Sequence, residues 1–536
     1  GSIATTGWSL SIGPSWKNDG FDTLAIGAPL ESVGKLPNAG GGTFPGGGRA
    51  YVVFGAQHLE TLWNGSTPFD VQGITADQGF RESGPITNAN IGSAVKVIPS
   101  WEGDGHGSVV INSPTTNSGN GAAWVLFGKH LNTATADQFL QTAGGTDYPY
   151  TVAANGTEGF FAADAFYSLY HLGTSVDGLD FDGDHNIDLA MGSPKPGNFA
   201  AQVTVVFGPS GANAADALRD LHIDANKWTF TPGSDTATNI ATSMAHGHVH
   251  GDSVRDDLVI GSGDQGSPAN LTSGVLTPGG TVDVVFGNSS RASIPTLPTA
   301  FTGSNGFRVV NGASNSRGFG GHVAVGDVNG DGIDDILIAE NANYNYLPSH
   351  YESYGKVWVV FGKNGGLSVS QLDVQSMTAS DGFSIRLPKY AYVNALTTAN
   401  INGDSRADIL IGSPSTQLSY DGDVYGNGGV FVVFGSATPV NVDIPTSALD
   451  GTNGFVALGE PYAYMGTAIA AGDVNGDTHD DVAVGASYHR TYIPSSGYVR
   501  DSGRVYLVFG VPSSTTLPAY TLSSGFTVVG TAPVPQ

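Results

Sequence analysis

A short apolar run that ends in Phe-Gly recurs along the whole chain, and it constrains the fold more than any other feature. It appears seven times, with its phenylalanines at 54, 127, 207, 286, 361, 434 and 509 and steps of 73, 80, 79, 75, 73 and 75 residues. So regular a spacing predicts one structural unit repeated along the chain, and not a series of unrelated domains.

Each repeat contains three further strand patterns. One ends in a small-residue turn, as in LAIGAP (24–29), one opens with Gly-Phe, as at 306–307, and one precedes an acidic loop, as in HVAVGD (322–327). WTFTPG (228–233) replaces the Gly-Phe segment in the third repeat. Four strands in each of seven units predict an all-β fold, a seven-bladed β-propeller of four-stranded antiparallel blades. A β-solenoid or a string of sandwiches fits less well, because the period is too long for the one and too short for the other.

The repeat also sets the expected blade boundaries within a single propeller domain of residues 1–536. The blades cover approximately 8–85, 86–165, 166–234, 235–312, 313–388, 389–460 and 461–530, and 531–536 begins a linker or tail. Every fourth strand is found inside its own repeat, and the last is GFTVV at 525–529. We therefore expect the C-terminal segment to complete blade 7 and the ring to close by face packing, without a swapped strand.

Charge and cysteine content limit the possible partners. The formal net charge is −26 without a Lys/Arg-rich run, which disfavours nucleic acid and anionic membranes as partners. No apolar run approaches the roughly 18–20 residues of a membrane span, so we expect no direct membrane insertion. The absence of cysteine excludes disulfides and Cys-type zinc sites. In a chain of this size it favours a bacterial or archaeal source.

Four loops between the first and second strands share one spacing of oxygen-bearing side chains. Positions 1, 3 and 5 carry Asp or Asn and position 9 carries Asp, while position 7 varies, as a residue that contributes only its backbone carbonyl can. The residues at these positions are Asp180, Asp182, Asp184, Asn186 and Asp188 in blade 3; Asp327, Asn329, Asp331, Ile333 and Asp335 in blade 5; Asn400, Asn402, Asp404, Arg406 and Asp408 in blade 6; and Asp473, Asn475, Asp477, His479 and Asp481 in blade 7.

Oxygen ligands at this spacing indicate calcium, which takes six to eight oxygens, whereas magnesium prefers to keep several waters. An EF-hand closes with Glu at position 12, but here a strand leaves the loop at once and Asp at position 9 closes it. About four structural Ca²⁺ sites are therefore expected. The alternative is a set of turns that are polar only because turns are polar.

The blade 4 loop, HGHVHGDSVRDD (246–257), is one residue longer than the other acidic loops. Its residues His246, His248 and His250 leave open a transition-metal site such as zinc. Because imidazole suits calcium poorly, a decayed calcium loop is the favoured interpretation.

GFGGHVAVGDVNGDGIDDILIAE (318–340) resembles an FG-GAP repeat of the integrin α-subunit propeller. Phe319-Gly320 stands at the FG position, and Gly27-Ala28-Pro29 is an intact GAP. The resemblance covers nearly the whole chain and implies seven blades with a ligand on the face away from the calcium loops. The lack of cysteine and the C-terminal last strand depart from integrins and indicate a prokaryotic relative.

Tyrosines concentrate in the connections that emerge on that opposite face. Rigid, amphipathic Tyr side chains are typical of binding surfaces, although some of them pack loops onto the blades. The expected ligand-contacting residues are Tyr344, Tyr346, Tyr390, Tyr392, Tyr420, Tyr425, Tyr462, Tyr464, Tyr488 and Tyr492. Protein and glycan ligands are both compatible with such a surface.

The sequence thus favours an extracellular, calcium-stabilised adhesion module, secreted or at the cell surface, which binds a protein or glycan ligand of a cell surface or matrix. The Pro-containing TAPVPQ (531–536) indicates a piece of a longer multidomain chain. Common hydrolase, zinc-protease and phosphate-binding motifs are lacking, so an enzyme is not the favoured prediction. The alternatives are a polysaccharide lyase or hydrolase, with Tyr488, His489 and Arg490 as candidate groups, and a purely structural module.

Overall fold

The computed structural model describes most of the chain. Its residues are 5–32, 46–56, 69–84, 88–115, 121–128, 137–139, 141–142, 150–151, 159–163, 171–194, 201–208, 218–220, 227–231, 241–263, 280–296, 300–313, 318–341, 354–389, 391–415, 427–444, 449–460, 463–489, 491–493, 497–499, 503–510 and 526–529. Within these ranges the chain forms seven antiparallel blades, which confirms the predicted propeller.

Each blade has four strands in chain order, so neighbours in sequence are neighbours in the sheet. The first strands are Ser9–Gly13, Val95–Ile98, Ser175–Leu179, Ser243–Gly247, Val323–Gly326, Ala395–Ala399 and Ile469–Gly472. The second strands are Thr23–Ala28, Ser108–Ser113, Asp188–Ser193, Asp257–Ser262, Asp335–Glu340, Asp408–Ser413 and Asp481–Ala486. The third strands are Arg49–Val53, Ala122–Phe127, Gln202–Val206, Thr281–Val285, Lys356–Val360, Gly429–Val433 and Arg504–Val508. The fourth strands are Gly79–Ser83, Gly159–Ala163, Lys227–Phe230, Gly306–Val310, Gly382–Arg386, Gly454–Leu458 and Phe526–Val529.

The first strands line the central axis. Each of them contacts the first strands of the two neighbouring blades, and Ser9–Gly13 of blade 1 contacts Ile469–Gly472 of blade 7. This closes the ring.

The core lies between the blades. Seven clusters of buried apolar side chains each join two neighbouring blades, such as Val52 of blade 1 with Val97 of blade 2, and Val53 of blade 1 with Val505 of blade 7. Because each sheet is covered on both faces, the second and third strands are almost continuous apolar runs without strict alternation.

The Gly-Phe pair has a steric cause. Gly382 opens a fourth strand with φ +152°, and a Cβ there would clash with the carbonyl oxygen of Val359 on the third strand. Only glycine permits this close approach, while the following Phe383 packs into the core between blades 5 and 6.

The prediction of four-stranded blades needs one correction, because five blades carry an additional parallel strand at their outer edge. In each case the connection between the third and fourth strands of the next blade supplies it. These strands are Asp137–Phe139 on blade 1, Leu218–Asp220 on blade 2, Gln371–Asp373 on blade 4, Val442–Asp443 on blade 5 and Phe69–Asp70 on blade 7. The last one pairs a blade 1 segment with the C-terminal strand, so the ring closes by strand exchange as well as by face packing.

Short elements complete the described structure. Two hairpins pair Gln141–Thr142 with Tyr150–Thr151 and Thr491–Ile493 with Gly497–Val499. Single 3₁₀ turns span Val71–Gly73, Arg291–Ser293 and Val374–Ser376. In the part of the chain that the structure describes, no helix is long and apolar enough to span a bilayer.

Candidate metal loops and the opposite face

The four acidic loops fold alike, as the blade 5 loop illustrates. Asp327 at position 1 accepts backbone N–H bonds from Gly330 at 2.7 Å and from Gly332 at 2.8 Å. Asn329 at position 3 accepts from the N–H of Asp331 at 2.8 Å, and Asp331 at position 5 accepts from Ile333 at 2.9 Å. These bonds wind the backbone around the side-chain oxygens and hold positions 1, 3 and 5 in one tight turn.

Position 9 ties each loop to the rest of its blade. One carboxylate oxygen of Asp335 accepts from the N–H of Val328 and the other from the N–H of Gly362, both at 3.1 Å. Gly362 is the glycine of the Phe-Gly signature, so the two strongest sequence signals of the repeat meet here. Asp188, Asp408 and Asp481 make the same pair of bonds in blades 3, 6 and 7.

These position 9 carboxyl groups are fully buried. Burial, followed by smaller effects that include nearby aspartates, raises the pKa of Asp188, Asp335 and Asp481 to about 8 and that of Asp408 to about 7. A buried carboxylate with neighbouring carboxylates is stabilised when a cation lies between them. The arrangement therefore fits a hard divalent cation held by oxygens.

Blade 3 gathers its acids most closely. Asp180, Asp182 and Asp188 offer oxygens that lie within 4.8 Å of one another, the one such group of three among the described His, Asp and Glu residues. The other three loops use Asn at one or two positions, which still offers an oxygen. The contribution expected from the backbone carbonyls of Asn186, Ile333, Arg406 and His479 stays a prediction.

Side-chain cations enter two of the four loops. Arg291 reaches blade 3 from the connection that follows the third strand of blade 4, and its Nε lies 2.6 Å from Asp182. The same guanidinium stacks 3.8 Å over the ring of Phe207. In blade 6, Arg406 contacts Asp404 at 3.2 Å. Among the described residues, no Lys or Arg forms an ion pair with the blade 5 or blade 7 loop.

A second acidic position, number 8 in blades 5 and 7 with its equivalents in blades 1 and 4, connects successive loops, and the sequence analysis missed it. Asp256, Asp334, Asp480 and Asp22 each accept the backbone N–H of the first loop residue of the preceding blade, at 2.8, 2.8, 2.7 and 3.1 Å. The signal was the doubled Asp at 256–257, 334–335 and 480–481. Its role needed the neighbouring blade.

The acids of the blade 4 loop are contacted by side chains of the same loop. His250 Nδ1 lies 2.7 Å from the buried Asp257, and Arg255 Nε donates to Asp252 at 2.8 Å. His248 lies 3.5 Å from Asp256 and 3.9 Å from Asp334. Among the described residues, His248 and His250 do not bring three ligand atoms together. This geometry favours the decayed calcium loop over a zinc site.

His246 lies outside that loop, on the axis-lining first strand of blade 4. Its Nδ1 is 2.9 Å from Asp177 of blade 3, whose other oxygen is 2.8 Å from Lys96 of blade 2. Burial of Asp177 opposes its charge, but His246 and Lys96 outweigh this effect and lower its pKa. Three blades are thus joined by ionic contacts at the axis.

The opposite face carries exposed aromatic side chains. Tyr488 and Trp8 are 42% and 40% exposed. The centroid of the Tyr488 ring lies 6.1 Å from that of Trp8 and 6.1 Å from that of Tyr464, and both contacts are edge-to-face. Tyr392 is also described, and Tyr492 pairs through its backbone with Tyr498. The predicted contacts Tyr344, Tyr346, Tyr390, Tyr420, Tyr425 and Tyr462 lie outside the described residues.

Two of the residues suggested as enzymatic groups, Tyr488 and His489, differ in their exposure to solvent. Tyr488 is exposed, whereas His489 is 3% exposed and contacts Glu460 through Nε2 at 3.3 Å. Arg490 lies outside the described residues.

Comparisons with known proteins agree with this architecture. The family model described as FG-GAP repeat matches residues 319–360 and 465–508. The chain is therefore a β-propeller that carries FG-GAP repeats. It is integrin-like. Integrin alpha-V of Gallus gallus is 30% identical over 183 residues, and integrin alpha-PS2 of Drosophila melanogaster is 32% identical over 174 residues.

A second group of relatives has a different name. Phosphatidylinositol-glycan-specific phospholipase D of Homo sapiens is 29% identical over 167 residues. The matched segments cover 30–34% of this chain, but only 18% of the phospholipase and 15% and 11% of the two integrins. Among solved structures, the Dos1 propeller gives a TM-score of 0.34 at 12% identity, which is too low to support a conclusion.

Proposed function

We propose that the protein is an extracellular, calcium-stabilised ligand-binding module. Its acidic loops hold about four structural Ca²⁺ ions on one face of the propeller, and its opposite face binds a protein or glycan ligand of a cell surface or matrix. The observation that carries the proposal is that four loops repeat one bond pattern around oxygen-bearing side chains that end in a buried aspartate, while exposed aromatic rings lie at the other end of the strands.

The division between the faces follows from the up-and-down strand order. The acidic loops join the first strand to the second, so the turns after the second strand and after the fourth strand emerge at the opposite end. Trp8, Tyr464 and Tyr488 all lie at that end. Binding residues are commonly displayed on loops that a rigid scaffold holds in place.

Calcium in this proposal stabilises and does not switch. A metal that binds only the folded chain raises its stability by mass action, and these loops join strands in rigid sheets with no bistable helix pair to open. The ions would hold the loops in one shape, so that the strands present the opposite face in a fixed geometry.

Adhesion, secretion and the presence of further domains are parts of the same proposal. They are supported by the acidic composition and by the similarity to segments of proteins named integrins.

The test is a face-specific binding assay. The full chain with calcium is applied to immobilised matrix proteins and to a glycan array, beside Trp8→Ala, Tyr488→Ala and the matched control Val440→Ala. Val440 is 70% exposed but lies in the connection between the third and fourth strands of blade 6, away from the aromatic group. We expect loss of binding in the two aromatic variants alone. Equal binding by all four proteins, or no binding to any probe, would contradict the proposal.

A further inference from the structure

Blades 1 and 7 begin their third strands with the same pattern, an arginine followed two residues later by a tyrosine. Arg49 pairs in the sheet with Ala28, and Arg504 pairs with Ala486. The same turn follows the second strand in both blades, because the N–H three residues on donates to the carbonyl of that alanine, at 3.2 Å in blade 1 and 3.0 Å in blade 7. The residue that makes this bond is Glu31 in blade 1 and His489 in blade 7.

In blade 1 this arrangement is a closed hydrogen-bonded group. Arg49 donates to one carboxylate oxygen of Glu31 at 2.8 Å, and the hydroxyl of Tyr51 donates to the other at 2.7 Å. Glu31 is 1% exposed. Blade 1 thus shows what an Arg-x-Tyr pair at this place in the fold can hold: a carboxylate that accepts from both side chains.

In blade 7 the internal carboxylate is replaced by a histidine. The Tyr506 hydroxyl and the Arg504 Nε are both buried, and neither reaches a hydrogen-bond acceptor among the described residues, although the guanidinium is close enough to lower the Tyr506 pKa. Burial, with the charge of Glu460, nevertheless raises that pKa to about 12, so the hydroxyl keeps its proton as a donor. Buried donors without acceptors are rare in folded proteins and call for an explanation.

A carboxylate from outside the blade already approaches these donors. Glu460, on the connection that enters blade 7, lies 3.5 Å from Arg504 and 3.3 Å from His489. These distances are longer than in a tight charge-assisted hydrogen bond, and the Glu460 side chain is 55% exposed. Glu460 is thus more exposed and more distant from its arginine than Glu31 is in blade 1.

The surroundings of this group favour a sugar. Tyr488, between Ser487 and His489 in the turn, forms with Trp8 and Tyr464 the exposed aromatic group described above. Large, flat, amphipathic rings offer apolar contact area beside polar groups, which matches the C–H face of a pyranose ring with its polar substituents at the edge. The strands supply the donors on a rigid frame.

We propose that this place at the boundary of blades 6 and 7 is a binding site for the carboxylate of an acidic saccharide, a hexuronate unit. Its carboxylate takes the position that Glu31 occupies in blade 1, accepts from Arg504 and Tyr506 and displaces Glu460, while the sugar ring lies on Trp8 and Tyr488. This inference rests on the proposed function, since it names the ligand class for the aromatic face.

The test uses the full chain with calcium and isothermal titration of tri- and tetragalacturonate or glucuronate oligosaccharides. A neutral oligosaccharide of equal length and a glutamate-containing peptide are the comparison probes. We expect binding of the uronates and at least tenfold weaker binding of the other two. Tyr506→Phe and Arg504→Gln should each weaken uronate binding about tenfold or more, whereas Glu460→Gln should strengthen it several-fold because it removes the internal competitor.

Two controls separate binding from folding. Arg386→Gln, an arginine beside Tyr354 at the same end of blade 5, should leave uronate affinity unchanged. Tyr506→Phe should not lower the melting temperature, since its hydroxyl makes no bond within the described structure, whereas Tyr51→Phe should lower it by removing the bond to Glu31.

The possible results are distinguishable. Equal affinity for neutral sugars, preference for the acidic peptide, or unchanged uronate binding in Tyr506→Phe and Arg504→Gln would overturn this inference. If Trp8→Ala and Tyr488→Ala still abolish binding of another ligand, the proposed function survives that result. If no variant on this face alters any binding, the proposed function fails as well.

Discussion

The acidic loops of blades 4 and 5 are successive in the ring but differ in the side chains that contact their acids. The blade 5 loop presents Asp327, Asp331 and Asp335 without an ion pair to Lys or Arg in the described structure. In blade 4, His250 contacts Asp257 and Arg255 contacts Asp252. The same strand-turn-strand frame therefore carries either an acidic set without a Lys or Arg partner or one that its own side chains contact. Blade 3 is intermediate, since it keeps the complete acidic set and also receives Arg291 from blade 4.

Removal of metal should have the largest effect, because it acts on every acidic loop at once. Each occupied site adds roughly 2.7 kcal/mol at a metal concentration one hundred times its Kd. We expect chelation to lower the melting temperature of the full chain by many degrees, with recovery on adding Ca²⁺ and a smaller recovery with Mg²⁺. Differential scanning calorimetry in chelator and in millimolar Ca²⁺ measures this. An unchanged melting temperature after complete chelation would remove the calcium proposal and the contrast between the two loops.

Substitution of single aspartates compares the two loops directly. Asp335→Asn should abolish one site's share of the calcium-dependent stability, about 2–3 kcal/mol, and cost less in chelator, where there is no bound metal to lose. Asp257→Asn should destabilise by about 1–3 kcal/mol equally with and without calcium, because its partner is His250. Urea unfolding of both variants, in calcium and in chelator, separates these patterns. A calcium-dependent loss in Asp257→Asn would mean that blade 4 binds metal after all.

Arg291→Gln tests whether a side-chain cation and a metal compete in blade 3. Without the guanidinium, Asp182 is left to the metal, and we expect calcium affinity at one class of sites to rise by up to about tenfold, or about 1.4 kcal/mol. Calorimetric calcium titration measures the change. Arg386→Gln removes a comparable ion pair to Asp443, away from the acidic loops, and should leave calcium affinity unchanged. Lower affinity in Arg291→Gln would mean that the arginine assists the loop instead of competing.

Much of this architecture could be predicted from sequence because its causes are local. The glycine of the Phe-Gly signature at the end of the third strand donates its N–H to the loop aspartate, as Gly362 does to Asp335. The glycine of the Gly-Phe pair that opens the fourth strand is required because a side chain at Gly382 would clash with the third strand. The parts that were missed depend on contacts between blades. In the sequence, Asp334 looks like an ordinary turn residue, and only the structure shows that the His248 N–H of the preceding blade donates to it. Likewise, no local pattern assigns Phe69–Asp70 to the outer edge of blade 7.

The proposed blade 7 site also could not be predicted from sequence alone. Glu31 and His489 stand at equivalent positions, but the equivalence becomes visible only after the strand pairing of Arg49 and Arg504 is known. Nothing in the sequence near Tyr506 indicates that its hydroxyl is buried without an acceptor. Sequence reasoning singled out the same turn through Tyr488 and His489, but by the density of tyrosines and not by the buried Tyr506 hydroxyl.

The smallest expected effect concerns His246 of blade 4. Substituting it tests whether this histidine acts through its contact with Asp177 or through a bound metal. Its surroundings contain Asp177, Asp256 and Lys96, and although burial lowers its pKa, the charge of Asp177 more than offsets this and raises the pKa above its usual value of 6.5. A raised folded-state pKa contributes stability that is complete below about pH 6.5 and is lost as pH rises through the folded-state value. The stability difference between the parent and His246→Gln should therefore shrink from pH 6 to pH 9, as followed by urea unfolding in excess calcium. A difference that grows with pH, or one that follows added zinc, would show that this histidine acts through a metal and not through its contact with Asp177.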